Sequence, residues 1–169
     1  MNRWFPLPAA ALTFVLSSSG CAFSPWGDSP TYPKITPPAG MKAVAFDNFA
    51  FAVPQEWRQS SDQVGQFWQD GSGTTVLRES VYTMTHCPDA ADLRRSTDNE
   101  KVTSYTPLKV PGAAGGARVG FDRPSYDVRD ATNLIAWLKD CQTKFDAEIY
   151  ETGPVVDEIA STVVAQEDE

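Results

Sequence analysis

The clearest alternation of apolar and polar positions lies in "KFDAEIYETG". It puts Phe145, Ala147 and Ile149 on one side of an extended chain and Asp146, Glu148 and Tyr150 on the other. That is the pattern of a strand with one buried and one wet face. "MKAVAF" and "FAFAVP" predict two further strands, turned by Asp47 and Asn48. "VGQFWQD" and "TTVLRESVY" flank Gly71, Ser72 and Gly73 and predict a hairpin. In the second of these, Val76, Arg78, Ser80 and Tyr82 alternate with Leu77, Glu79, Val81 and Thr83. Neither set is wholly apolar, so the pattern leaves the inward face open. "TSYTPLKV" and "ARVGF" predict two more strands on either side of the loop "PGAAGG".

Two stretches predict helices. "PDAADLRRSTDN" has an acidic first turn and directly follows Cys87. "GPVVDEIASTVVAQ" places Pro154 in a first turn and spaces Val155, Val156, Ile159, Val163 and Val164 along one helical face. "ATNLIAWLKDC", residues 131–141, fits both periods. Ala131, Leu134, Ile135, Leu138 and Cys141 make a helical stripe, whereas Leu134, Ala136 and Leu138 alternate. The short connection through Gln142 and Thr143 into a clear strand favours the strand. The expected fold class is therefore α+β: an antiparallel sheet with packed helices, including a C-terminal helix.

The chain of 169 residues carries a formal charge of −8. Setting aside residues 1–20, whose one charged side chain is Arg3, makes the balance more acidic still. An acidic surface repels phosphate backbones and anionic lipid alike, so nucleic acid is excluded as a partner and membrane attachment must come from an anchor.

The amino end supplies a candidate for that anchor. After Arg3 comes the apolar run "WFPLPAAALTFVL", too short to span a bilayer and of the length of a signal-peptide core. "SSSG" and Cys21 follow. Ser19-Gly20-Cys21 resembles the last three positions of the lipobox of bacterial lipoproteins, although Ser18 stands where that family usually has an aliphatic residue. The resemblance implies cleavage before Cys21 and lipidation of its sulfur. Cleavage by ordinary signal peptidase, or retention as an uncleaved anchor, are the competing readings. Residues 21–40 are rich in proline (Pro25, Pro30, Pro33, Pro37 and Pro38) and read as an extended tether. Residues 41–169 are then a single extracytoplasmic domain.

The chain has 3 cysteines. With Cys21 lipidated, Cys87 and Cys141 remain, and beyond the cytosol they are expected to pair. Such a bridge is worth about 4 kcal/mol in the chain-entropy account.

"FAFAVPQEW", with Val53, Pro54 and Trp57, and the closing "VDEIASTV" resemble small exported domains of actinobacterial lipoproteins, and more distantly the PsbP-like α/β/α sandwich. These motifs are packing signatures and bring no reaction with them.

Candidate chemistry is sparse. His86 is the single histidine, and no G-x-S-x-G elbow accompanies it. It abuts Cys87, so a loop position is expected, with an envelope hydrolase using His86 as the rival from another class. No metal motif and no phosphate loop stands in the sequence, and neither metal nor cofactor is implied. Aromatic residues build the core, or else Trp57, Trp68 and Trp137 line a groove for a ligand. The expected function is a non-catalytic binding or accessory domain of the cell envelope, lipid-anchored to a membrane, with an envelope protein or an amphiphile as partner. A purely structural surface lipoprotein is the third reading.

Overall fold

The computed structural model describes residues 33–62, 65–97, 100–123 and 130–166. Strands β1 (Met41–Phe46) and β2 (Phe49–Pro54) form the first hairpin. Asp47 turns it with a positive φ of 54°, a conformation that aspartate tolerates better than most residues. A second, seven-stranded sheet contains β3 (Arg58–Ser61), β4 (Gln66–Gln69), β5 (Thr75–Thr83), β6 (Lys101–Pro107), β7 (Gly115–Asp122), β8 (Asp130–Trp137) and β9 (Thr143–Ile149). Its order is β3-β4-β5-β9-β8-β7-β6, with every neighbouring pair antiparallel. The strand reading of residues 131–141 holds for Ala131 to Trp137, which lie within β8.

The helices are few: α1 (Ala90–Leu93) and α2 (Pro154–Thr162). Among the described residues, 49% are strand and 10% helical. The fold is thus mostly β, two antiparallel sheets sharing a core, and the expected α+β class with helices packed on one sheet is incorrect. Both helices fall short of their predicted lengths. In α1, the Asp89 carboxylate accepts from the backbone N–H groups of Ala91 and Asp92, and Asp92 answers at the Asp89 N–H. This capping box starts a helix, but Arg94, Arg95 and Ser96 offer no apolar stripe to carry it on. α2 itself ends at Thr162, before its apolar stripe does. Val163 is extended, and Val164–Ala165 form β10, which pairs with β2 and completes the smaller sheet, β1-β2-β10. β-Branched valines suit either state, and the free edge of β2 captures them for the sheet.

The core lies between the two sheets. Phe49 stacks on Phe145 with ring centroids 5.1 Å apart, and Phe51 lies 5.5 Å from the same ring. Leu77, Leu134, Ala147 and Ile149 extend this layer, and Val156, Ile159 and Ala160 of α2 join it. Ile35 packs against it from the last part of the proline-rich segment ahead of β1. No helix among the described residues is long and apolar enough to cross a membrane.

The loop "PGAAGG" is explained by close backbone approach. Gly112 has a φ of +79°, and a Cβ there would stand 1.9 Å from the Ala165 carbonyl oxygen. A Cβ on Gly115 would strike the Trp137 ring at 2.3 Å. Glycine here lets the loop close over β10 and Trp137.

One connection decides where a site can form. From the end of β5 the chain crosses to the far edge of the large sheet and enters β6, carrying α1. Ala117, Val119 and Ile135 form a second cluster, with Leu93 from α1 and Trp137 packed against it. The Arg94 guanidinium lies 4.3 Å from the Tyr105 ring centre. Cys87, in the crossover, sits at disulfide distance from Cys141 in the β8–β9 turn, with Cα atoms 4.5 Å apart. The crossover thus covers one part of the sheet's outer face and is pinned there.

Candidate functional site

The rest of that outer face holds a cavity of about 470 Å³. Its floor follows from strand register. Leu77 pairs with Ile149 and Glu79 with Ala147, which turns Arg78, Ser80 and Tyr82 to the opposite face, beside Glu148, Asp146 and Lys144 of β9. Asn133 of β8 pairs with Glu148 and joins them. Gly65 and Gln66, at the start of β4, form one rim, and Glu100 and Arg123, flanking β6 and β7, form the other.

The polar groups of the floor hold one another. The Arg78 guanidinium donates to Asp62 at 3.3 Å through both terminal nitrogens and lies 5.1 Å from the Phe67 ring centre. Lys144 Nζ stands 3.3 Å from Asp146 Oδ2, and Asn133 Nδ2 donates to Asp146 Oδ1 at 2.9 Å. The Arg123 guanidinium, only 8% exposed, bridges Glu148 and Glu100, with Nε 2.7 Å from Glu100 Oε1. Burial raises the Asp146 carboxyl above its usual range against the opposing pull of Lys144 and Asn133. Burial also raises the Tyr150 phenol, with Arg78 pulling the other way. Asn133 is nine-tenths buried, and its Oδ1 accepts no hydrogen bond. The arrangement offers many donors and acceptors at fixed positions and no lone charge. Such a surface can bind and orient a ligand; it presents no activated nucleophile.

Glu79 sits on the other side of the same strand. It faces the core with Leu77 and is 2% exposed. The indole N–H of Trp68 turns toward this carboxylate without closing a well-formed hydrogen bond, so Trp68 Nε1 and both Glu79 oxygens stay poorly satisfied. Burial raises the Glu79 carboxyl to about 7, offset in part by Trp68.

The residues singled out in the sequence are scattered. Trp57 and Trp68 are buried in the main core, while Trp137 packs against the second cluster on the outer face. The structure does not bring these three into one groove. Cys21 lies outside the described residues. His86 occupies the crossover, with its side chain 72% exposed. Its Nε2 lies 3.5 Å from Asp92 Oδ2, and its Nδ1 is 3.2 Å from Thr85 Oγ1. Asp92 also caps α1 and pairs with Arg95 at 3.5 Å, so it is a half-buried helix-cap acid already engaged by a second cation, unlike the fully buried acid that orients a triad histidine. Among the described residues no group of three or more His, Cys, Asp or Glu side chains is placed to hold a metal ion. Sequence reasoning missed the cavity because its floor combines positions from β5, β8 and β9. The available signal was the polar half of the β9 alternation, Asp146 and Glu148.

No protein-family model matches this chain, and no curated protein shows significant similarity to it.

Proposed function

We propose that this protein is a lipid-anchored, extracytoplasmic binding domain of the cell envelope that holds a small polar ligand in the outer-face cavity. The observation that carries the binding role is the cavity itself, which has the size of a small-molecule site and a lining of mutually oriented polar groups. The anchor is supported by the apolar run and Ser19-Gly20-Cys21, and by the parity that leaves Cys87 and Cys141 to pair. The proline-rich segment supports a tether that holds the domain away from the bilayer, with the ligand free or carried as the head of an envelope amphiphile. The role is one of binding, without a catalytic residue.

Native mass spectrometry of the protein extracted from its own membranes tests both parts. A diacylglyceryl mass on Cys21 and a retained polar ligand are expected. A mature chain starting elsewhere would overturn the anchor, and a chain that never retains a ligand would overturn the binding role. In a companion test, Cys21→Ser should move the protein from the detergent phase to the medium; a variant still in detergent contradicts lipidation.

A further inference from the structure

The cavity's charge pattern is what narrows the ligand. Arg78, Arg123 and Lys144 are each within ion-pair distance of at least one carboxylate: Asp62, Glu100 and Glu148, and Asp146 respectively. An anionic ligand would have to displace a resident carboxylate from its cation, leaving that carboxylate unpaired in a partly buried place. A cationic ligand would be pressed against Arg78, Arg123 and Lys144, which already occupy these carboxylates. A neutral ligand that only donates and accepts hydrogen bonds leaves all these pairs intact and uses their remaining lone pairs and N–H groups.

The geometry of those remaining groups is also selective. Guanidinium, carboxylate and carboxamide groups are planar and present paired donors or acceptors on one edge, a spacing that suits two neighbouring hydroxyls of a sugar ring. Tyr82, 52% exposed at the end of β5, adds an aromatic face at the rim, with Lys144 Nζ 5.3 Å from its ring centre. A pyranose has a C–H face that packs on such a ring while its hydroxyls turn toward polar groups. The nine-tenths buried Asn133, with an acceptor oxygen unused, lines the same floor. From charge compensation, planar polar groups, an aromatic rim and a volume of about 470 Å³, we infer that the cavity takes a neutral saccharide of one or two rings. This inference rests on the binding role proposed above and goes beyond it in naming the ligand class.

The test is calorimetric titration of the intact protein with three sets of probes. The first comprises neutral sugars (glucose, maltose, cellobiose and chitobiose), the second inorganic phosphate and glucuronate, and the third glutamate and lysine. Binding confined to the neutral sugars is expected, weakened at least tenfold by Tyr82→Ala and by Asn133→Ala. Tyr82 is exposed, so its variant keeps the test valid if Asn133→Ala fails to fold. Binding of only the charged probes overturns the saccharide assignment while leaving a binding domain in place. Sugar binding unchanged in Tyr82→Ala also overturns it. Silence with all three sets overturns the saccharide assignment and removes support for the binding role itself.

Discussion

Replacing Glu79 by glutamine should flatten the dependence of this protein's stability on pH between about 5 and about 8. Glu79 lies in a layer whose nearby polar group is the Trp68 indole N–H, with neither oxygen in a well-formed hydrogen bond, and burial raises its pKa from 4.5 to about 7. Between those two values the folded chain holds a proton that the unfolded chain has released. Folding is therefore favoured most below the unfolded value, and stability falls as pH climbs towards the folded one. At about 1.4 kcal/mol per pH unit the loss is about 3 kcal/mol, complete just above neutrality. In a domain of this size that corresponds to roughly 10 °C in Tm. The variant trades the carboxyl for a carboxamide of nearly the same shape, so its absolute stability also reflects an amide in an apolar place. The informative quantity is the change in stability between the two pH values, in which that cost cancels, compared between the two proteins, where the contribution of Asp146 cancels as well. Urea unfolding followed by tryptophan fluorescence, run on both proteins near pH 5 and near pH 8 with the disulfide intact, supplies it. Equal slopes in the two proteins would refute the placement of an ionisable, unpaired carboxyl in the core.

Two further outcomes follow from the packing. Phe145→Ala should cost about 3–5 kcal/mol, because the ring fills the space between Phe49 and Phe51 where the two sheets meet; denaturant midpoints measure it, and a loss under about 1 kcal/mol would mean that the site collapses freely. Cys87→Ser with Cys141→Ser should cost about 2–4 kcal/mol by equilibrium unfolding. Equal stability of this double variant and the parent would show that the crossover is held by its other contacts.

Much of the strand layout is legible in the residues. Phe145, Ala147 and Ile149 are all fully buried, as their alternation in β9 requires. The short connection through Gln142 and Thr143 into the clear strand β9 is what favours a strand at β8. What the pattern leaves open is β5, where each face carries at least one charged residue; only pairing with β9 shows that Leu77 and Glu79 point inward together. Helix content is over-read because local signals stop at the cap and the stripe. Asp89 starts α1, but nothing apolar follows Leu93; the valines after Thr162 satisfy a helix period and are taken by the edge of β2. The tryptophans illustrate a different limit. Trp57 and Trp68 are aromatic enough for a groove and are spent on the core, while the cavity is made of Arg, Lys, Asp, Glu and Asn that read singly as ordinary solvated surface. Three strands must be brought into register before those side chains become neighbours.

The strand order also constrains how the molecule comes into being. A ribosome releases β2 and β5 early, yet Leu77 of β5 lies opposite Ile149, and Ala50 of β2 opposite Val164. Until nearly the whole chain has emerged, both strands wait with an edge unfilled, exposed to pairing with a neighbouring copy. A holding chaperone that shields β2 and β5 during synthesis would raise the yield of native protein, whereas one acting after β10 has docked would find little left to protect.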